Sequence, residues 1–296
     1  MSEELSRSGF VSIIGRPNSG KSTLVNRLIG EKVSIVTDKP QTTRNVIRGI
    51  LTRPEGQIVF LDTPGIHKPI HRMNERMMES VRSAMGEVDV LALTVDASVP
   101  FGRGDEFTLE LIKPVAVPKF LLLNKIDTIP KKDLLPQIDR YAKLAPFDEV
   151  IPISALTGEG VETFVQEVLK RLSPGPQFYP EDQFSDQHER TMAAEMIREK
   201  LIDLTHDELP HSTAVIIERF EEGEALHRIY ATIFVERDSQ KAIIIGKSGG
   251  LLKEVGIAAR RDLERLFDRK VYLELHVKTR KGWRDDEEAL KSLGFE

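Results

Sequence analysis

The chain has 296 residues, enough for about two domains, and its 40% hydrophobic and 30% charged content is ordinary for a water-soluble globular protein. It has no cysteine, which excludes disulfides and thiolate metal sites and suits a reducing cytosol. No stretch approaches the ~20 apolar residues of a membrane helix, and no basic head followed by an apolar run marks a signal peptide. The net charge of −5 conceals an asymmetry. Lys241–Arg284 carries 12 Lys/Arg against 5 Asp/Glu, a net of +7 that leaves −12 elsewhere. A basic segment on an acidic chain points to a polyanionic partner at one place.

Phe10–Ile14 reads as a short buried strand. Gly15-Arg16-Pro17-Asn18-Ser19-Gly20-Lys21-Ser22 follows, matching G-x-x-x-x-G-K-[ST], and Thr23–Ile29 continues as a helix stopping at Gly30. Strand, glycine loop and helix is the context in which this pattern binds phosphate. Backbone N–H groups from Asn18 to Thr23 close around phosphate oxygens, and the helix start adds partial positive charge. Lys21 reaches the β- and γ-phosphates, and the Ser22 hydroxyl is placed to ligate Mg²⁺.

Val33–Arg44 contains adjacent threonines, one of which completes the Mg²⁺ shell when a γ-phosphate is present. Thr43 is favoured, and the sequence leaves Thr42 open. Strands are expected over Val46–Thr52 and Gln57–Asp62. The second ends in Asp62-Thr63-Pro64-Gly65, whose Asp62 faces the metal and whose Gly65 N–H senses the γ-phosphate. Val33–Arg44 and Gly65–Met73 are the expected switch segments, ordered by triphosphate and released by diphosphate. Ile66 stands where Ras-like GTPases carry a water-orienting glutamine, so intrinsic hydrolysis is expected to be slow unless another group places the water.

The pattern continues with a helix over Asn74–Met85, a strand over Val88–Asp96, a helix over Asp105–Leu111 and a strand over Lys119–Asn124. Lys132–Leu144, Glu149–Pro152 and Val161–Arg171 complete it as helix, strand and helix. Near-continuous apolar runs such as Val90–Val95 and Phe120–Leu123 fit strands covered on both faces. The class is a doubly wound, mainly parallel α/β sheet. Asn124-Lys125-Ile126-Asp127 ends a strand and reads guanine. The Asp127 carboxylate accepts from both N1–H and the 2-amino group, whereas adenine would leave it unpaired. Ser154-Ala155-Leu156 suits a loop whose backbone N–H meets guanine O6. GTP and GDP are therefore the expected nucleotides, with Mg²⁺.

Ser173–Gln187 carries three prolines and reads as a linker. We place the boundaries at 1–175 for the nucleotide domain, 176–187 for the linker and 188–296 for the second domain. Beyond it the expected elements are a helix over His188–Leu204, strands over Thr213–Phe220 and Arg228–Val235, Ala242–Ile245 leading into Gly246-Lys247-Ser248-Gly249, a helix over Leu251–Phe267 and a strand over Lys270–Val277. This α-β-β-α-α-β order makes a small α+β domain, closed by a helix over Asp285–Leu293. The glycines at 246 and 249 let a nucleic-acid backbone approach closely, with Lys247 and Ser248 between them. Lys253, Arg260 and Lys281 form the positive rim. Trp283, the only tryptophan, sits among cations in a position suited to stacking on a base.

These motifs together, over essentially the whole chain, resemble the Era family of bacterial ribosome-assembly GTPases. The resemblance is carried by residues 15–22, Pro40–Arg44, Asp62–Pro69, Asn124–Asp127, Ile245–Gly249 and Gly282-Trp283; only Ser19 departs, where that family has a small apolar residue. The resemblance implies a P-loop GTPase domain followed by a type II KH domain. It also implies a Mg²⁺-dependent GTPase that binds the 3′ end of small-subunit ribosomal RNA and acts in 30S subunit assembly. Asn18 resembles the asparagine that in some GTPases holds K⁺ beside the phosphates. The expected protein is a cytoplasmic monomer. The alternative is a regulatory GTPase whose basic segment meets anionic lipid at the inner-membrane surface.

Overall fold

The structure, a computed structural model, describes residues 6–206 and 209–295. It divides into two compact units. The first holds the chain up to Ser34, Thr43–Pro69 and Met77–Asp186; the second holds Ile35–Thr42, Ile70–Arg76 and the chain from Gln187 on.

In the first unit a six-stranded sheet has the order β2-β3-β1-β4-β5-β6. Its strands are β1 (Arg7–Ile14), β2 (Ile47–Arg53), β3 (Gly56–Asp62), β4 (Val90–Asp96), β5 (Lys119–Asn124) and β6 (Glu149–Pro152). All pairings are parallel except β2 with β3, the one connection short enough for a hairpin. The helices are α1 (Lys21–Ile29), α2 (Arg72–Gly86, counted in this unit from Met77 on), α3 (Arg103–Ile112), α4 (Leu134–Leu144) and α5 (Val161–Arg171). Core forms on both faces. Val11, Ile13, Phe60 and Phe120 pack with Leu24, Val25 and Phe164 on one side; Ile14, Leu91, Leu93 and Leu121 pack with Met78, Val81 and Tyr141 on the other. This two-sided burial is why β4 and β5 read as unbroken apolar runs.

The segment expected to be a linker is strapped along this unit. Ser8 N–H donates to Ser173 O, Ile50 N–H donates to Phe184 O, and Gln57 bonds the backbone of Phe178 and Tyr179 through its amide. Arg48 pairs with Asp186 at 2.6 Å. β2 is the edge of the sheet, and this strap satisfies backbone groups the edge would otherwise expose.

The second unit carries α6 (Glu189–Leu204), β7 (Ala214–Glu221), β8 (Leu226–Val235), α7 (Asp238–Ile245), α8 (Gly250–Phe267), β9 (Lys270–Thr279) and α9 (Glu287–Ser292). Its sheet runs β7-β8-β9, antiparallel then parallel, in the expected α-β-β-α-α-β order. Ala193, Ile197 and Leu201 of α6 and Val255, Ala259 and Leu263 of α8 pack on Ile229, Ala231 and Ile233 of β8. Residues 35–42 are tied to α6 in the same unit: Val36 N–H donates to the Glu199 carboxylate at 3.1 Å, and Arg198 donates to Thr42 O.

Candidate nucleotide site and nucleic-acid interface

The phosphate loop lies between β1 and α1, at the carboxyl edge of the sheet. Lys21 is buried, and its ammonium folds back on Gly15 O and Arg16 O at 3.3 and 3.0 Å. Burial lowers its pKa to about 8, against the attraction of Asp62. Asp62, fully buried at the end of β3, is pushed up by the same loss of solvent. The Ser22, Ser34 and Thr43 hydroxyls and the Lys21 charge partly offset that push, but neither carboxylate oxygen completes a hydrogen bond. A buried carboxylate with unused oxygens beside hydroxyls is what a hard divalent cation requires. Ser22 Oγ and Thr43 Oγ1 stand 2.8 Å apart. Thr42 is turned elsewhere, its hydroxyl bonded to Thr37 Oγ1 and Lys39 O at 2.7 Å each. Of the two threonines the sequence leaves open, only Thr43 brings its hydroxyl to Ser22. Ser22, Thr43 and Asp62 would hold Mg²⁺, which supplies charge neutralisation between β- and γ-phosphates.

Asp62-Thr63-Pro64-Gly65 is fastened to the loop. Thr63 Oγ1 donates to Ile13 O at 2.8 Å, and Ile66 N–H donates to Gly15 O at 2.9 Å. A Cβ on Gly65 would stand 2.7 Å from the Pro17 Cα and N, so only glycine allows this approach. Asn18, exposed, adopts a left-handed φ of 62° at the tip of the loop. Ser19 is buried, and its hydroxyl has no hydrogen-bond partner among the described residues.

Asn124 braces two loops. Its Nδ2 donates to Ser19 O at 2.8 Å and its Oδ1 accepts from Ala155 N–H at 2.9 Å, tying the phosphate loop to the Ser154–Leu156 loop. The Ala155 N–H is thus engaged by Asn124 within the protein. Ser154 is buried and Leu156 is 67% exposed. Lys125 pairs with Asp96 at 2.6 Å, and Asp127 is exposed on the turn after β5. Two supports escaped sequence reasoning because their partners are remote in the chain. Arg27 of α1 donates to the Ala155 and Leu156 carbonyls from beneath. Arg16 pairs with Asp105 at 2.8 Å, and Asp105 also accepts from Gly102 N–H at the start of α3.

In the second unit the Gly246–Gly249 turn joins α7 to α8. Gly246 has φ 73°, and a Cβ there would meet the Leu251 N and Cβ at 2.9 Å. Lys247 and Ser248 are exposed, and Ser248 also has a left-handed φ of 53°. A groove runs from this turn between α8 and β9, lined by Gly249, Lys253, Gly256, Ile257, Arg260 and Leu275. At Gly256 a Cβ would meet Leu275 at 3.6 Å, an ordinary contact, so the groove has room for a small side chain there. Lys253, Arg260 and Lys281 are exposed. Ile244 is fully buried core. Trp283 departs from expectation. It is 0% exposed, its ring 6.0 Å from Phe295 and its indole N–H donating to Ser212 O at 3.3 Å. Packing under the C-terminal helix outweighs display among cations, so Trp283 presents no face to a base.

Among the described residues no helix is long and apolar enough to cross a membrane. Residues 10–125 match the family model described as a 50S ribosome-binding GTPase, and residues 208–284 match the KH domain. Two solved structures are similar along nearly the whole chain. One is Era in complex with MgGDPNP and nucleotides 1506–1542 of 16S ribosomal RNA, 41% identical over 98% of this chain and 99% of that one, with a TM-score of 0.95. The other is a single-substitution variant of Aquifex aeolicus Era bound to GDP·AlF4⁻, 41% identical over the same shares, with a TM-score of 0.94. With the phosphate loop, the guanine-reading loop and the glycine turn of the second unit each in place, the chain belongs to the Era family of GTPases.

Proposed function

We propose that this GTPase binds the single-stranded 3′ end of small-subunit ribosomal RNA along the α8–β9 groove and acts as a nucleotide-controlled factor in 30S subunit assembly. The observation that carries the reading is the Gly246–Gly249 turn opening into a cation-rimmed groove with an apolar floor. Its left-handed glycines admit a phosphodiester backbone, the α8 N-terminus faces the phosphates, and Ile257 and Leu275 offer apolar surface to bases. The similarity to an Era chain solved with 16S nucleotides supports the choice of RNA. Mg²⁺ and GTP fit the Ser22, Thr43 and Asp62 cluster, and Asn18 is the residue through which K⁺ would act. Control by nucleotide has a covalent path: Thr43 faces Ser22, while its neighbour Thr42 is bonded to Arg198 of α6. The site of action is the cytoplasm, and the working species a monomer.

The test is titration of a short RNA copying the small-subunit 3′ end, with GTP analogue and with GDP, against wild type and a Gly246→Asp/Gly249→Asp double variant. Tight, sequence-dependent binding lost in the double variant is expected, with preference for the triphosphate form. Indifference to sequence and to both aspartates would sink the RNA reading. Flotation with anionic vesicles covers the membrane alternative at the inner-membrane surface.

A further inference from the structure

The chain lacks the glutamine that orients water in Ras-like GTPases, and its replacement is turned away from the phosphates. Ile66 is 2% exposed and packs with Ile14, Met78 and Val81. Its N–H is spent on Gly15 O. The water needed for hydrolysis must be placed by another group, and such a group must sit within reach of Gly65.

The polar side chains of the Asp62–His67 stretch narrow the choice. Asp62 belongs to the metal, and Thr63 spends its hydroxyl on Ile13 O. His67 remains. Its Nδ1 lies 2.6 Å from Gly65 O, while its Nε2 is buried and has no hydrogen-bond partner among the described residues. A carbonyl oxygen only accepts, so Nδ1 carries the proton in this contact. In the neutral imidazole Nε2 is then an acceptor with a free lone pair. The carbonyl fixes both tautomer and ring direction. Gly65 in turn rests against Pro17 of the phosphate loop, so the ring is anchored two residues from the γ-phosphate sensor.

We propose that His67 is a catalytic residue of this GTPase, its Nε2 accepting a hydrogen bond from the attacking water and aligning it with the γ-phosphate. The inference rests on GTP hydrolysis at this site. The water oxygen bonds to the γ-phosphorus as the bond from that phosphorus to the β–γ bridging oxygen breaks. The bridging oxygen stays with GDP, and the protons of water leave on inorganic phosphate. His67 therefore keeps no proton at the end of the cycle; it supplies orientation, which is most of what phosphoryl transfer asks of a protein.

The experiment compares wild type, His67→Phe and His67→Gln in the full chain with Mg²⁺. Three quantities are read: single-turnover GTP hydrolysis, Kd for a non-hydrolysable GTP analogue, and Kd for GDP with AlF4⁻. Phenylalanine keeps the ring volume without the acceptor; glutamine returns an acceptor on a flexible arm. The expected result is a loss of about 10²-fold in hydrolysis for His67→Phe, weakened GDP·AlF4⁻ binding, analogue affinity within about threefold of wild type, and partial recovery in His67→Gln. Hydrolysis by His67→Phe within twofold of wild type would overturn the proposal. So would a parallel loss of analogue affinity, which would mean His67 only holds Gly65 in place. A wild-type protein without GTPase activity would instead count against the reading of the whole site.

Discussion

Ser22 and Thr43 meet hydroxyl to hydroxyl at 2.8 Å in front of the buried Asp62 carboxylate, although 20 residues and a whole loop separate them in the chain. One comes from the first turn of α1, the other from the loop before β2. Thr42, one residue away, is committed to Thr37 and Lys39. Thr43→Ala is expected to cost about 1.5–3 kcal/mol of Mg²⁺-dependent GTP-analogue binding, the worth of a ligand to a charged group. Thr42→Ala is expected to leave it nearly unchanged. Fluorescent-analogue titrations with and without Mg²⁺ decide the matter, and equal effects of the two substitutions would refute the assignment.

Lys21 sets a pH dependence whose sign can be worked out. In the free protein its ammonium titrates near pH 8, because burial disfavours the charge more than Asp62 supports it. Bound phosphates favour the charge and raise that value. Above pH 8, nucleotide binding must therefore take up a proton, and Kd should rise by about tenfold per pH unit until the bound-state value is passed. For folding the direction is opposite: the unfolded chain holds the Lys21 proton more tightly, so the free protein gains stability from this group as pH rises from 8 towards 10.5. Calorimetric titration of GDP at pH 9 in two buffers of different ionisation heat measures the proton uptake. Lys21→Met should remove the slope, and a flat profile in wild type would contradict the assignment.

Much of this was legible in the sequence, and the reason is local. The phosphate loop, Asp62–Gly65, Asn124–Asp127 and Gly246–Gly249 are each contiguous, and each lies where an element ends, so a linear pattern carries the geometry. What the sequence could not disclose depends on residues meeting from afar. Arg27 under Leu156, Arg16 on Asp105 and the strap of residues 173–186 on β1, β3 and β2 pair positions with no shared periodicity. Trp283 turns inward although its neighbours Lys281 and Arg284 are charged, because neighbours in sequence do not decide which way a ring turns.

The Asn124 brace yields a prediction that separates holding from reading. Asn124→Ala removes two buried hydrogen bonds, to Ser19 O and from Ala155 N–H, and leaves both backbone groups unsatisfied at about 1–3 kcal/mol each. Both phosphate and base contacts should suffer, so GTP and GDP affinities fall together and the thermal midpoint drops even without nucleotide. Asp127→Asn should behave otherwise. Asp127 is exposed and makes no hydrogen bond or ion pair among the described residues, so the midpoint holds while preference shifts from guanine towards xanthine, whose 2-oxo group accepts where the 2-amino group donated. Nucleotide competition and thermal scans on the two variants distinguish these roles, and a stable Asn124→Ala protein of normal affinity would dismiss the brace.

Trp283 offers a built-in reporter, since it is the only tryptophan. Fully buried against Phe295 and bonded to Ser212 O, it should emit as a tryptophan shielded from water and resist collisional quenching. RNA filling the α8–β9 groove should leave its intensity nearly unchanged, because no face of the ring is open to a base; a stacked base would quench it strongly. Trp283→Ala should cost about 3–5 kcal/mol of stability, the price of emptying a large core position, and RNA binding should be lost only as far as the second unit unfolds. Trp283→Phe keeps most of the packed volume and should bind RNA as wild type does. Strong quenching on RNA binding, or a well-folded Trp283→Phe protein that binds RNA weakly, would return this side chain to the interface and require the C-terminal turn to open in the complex.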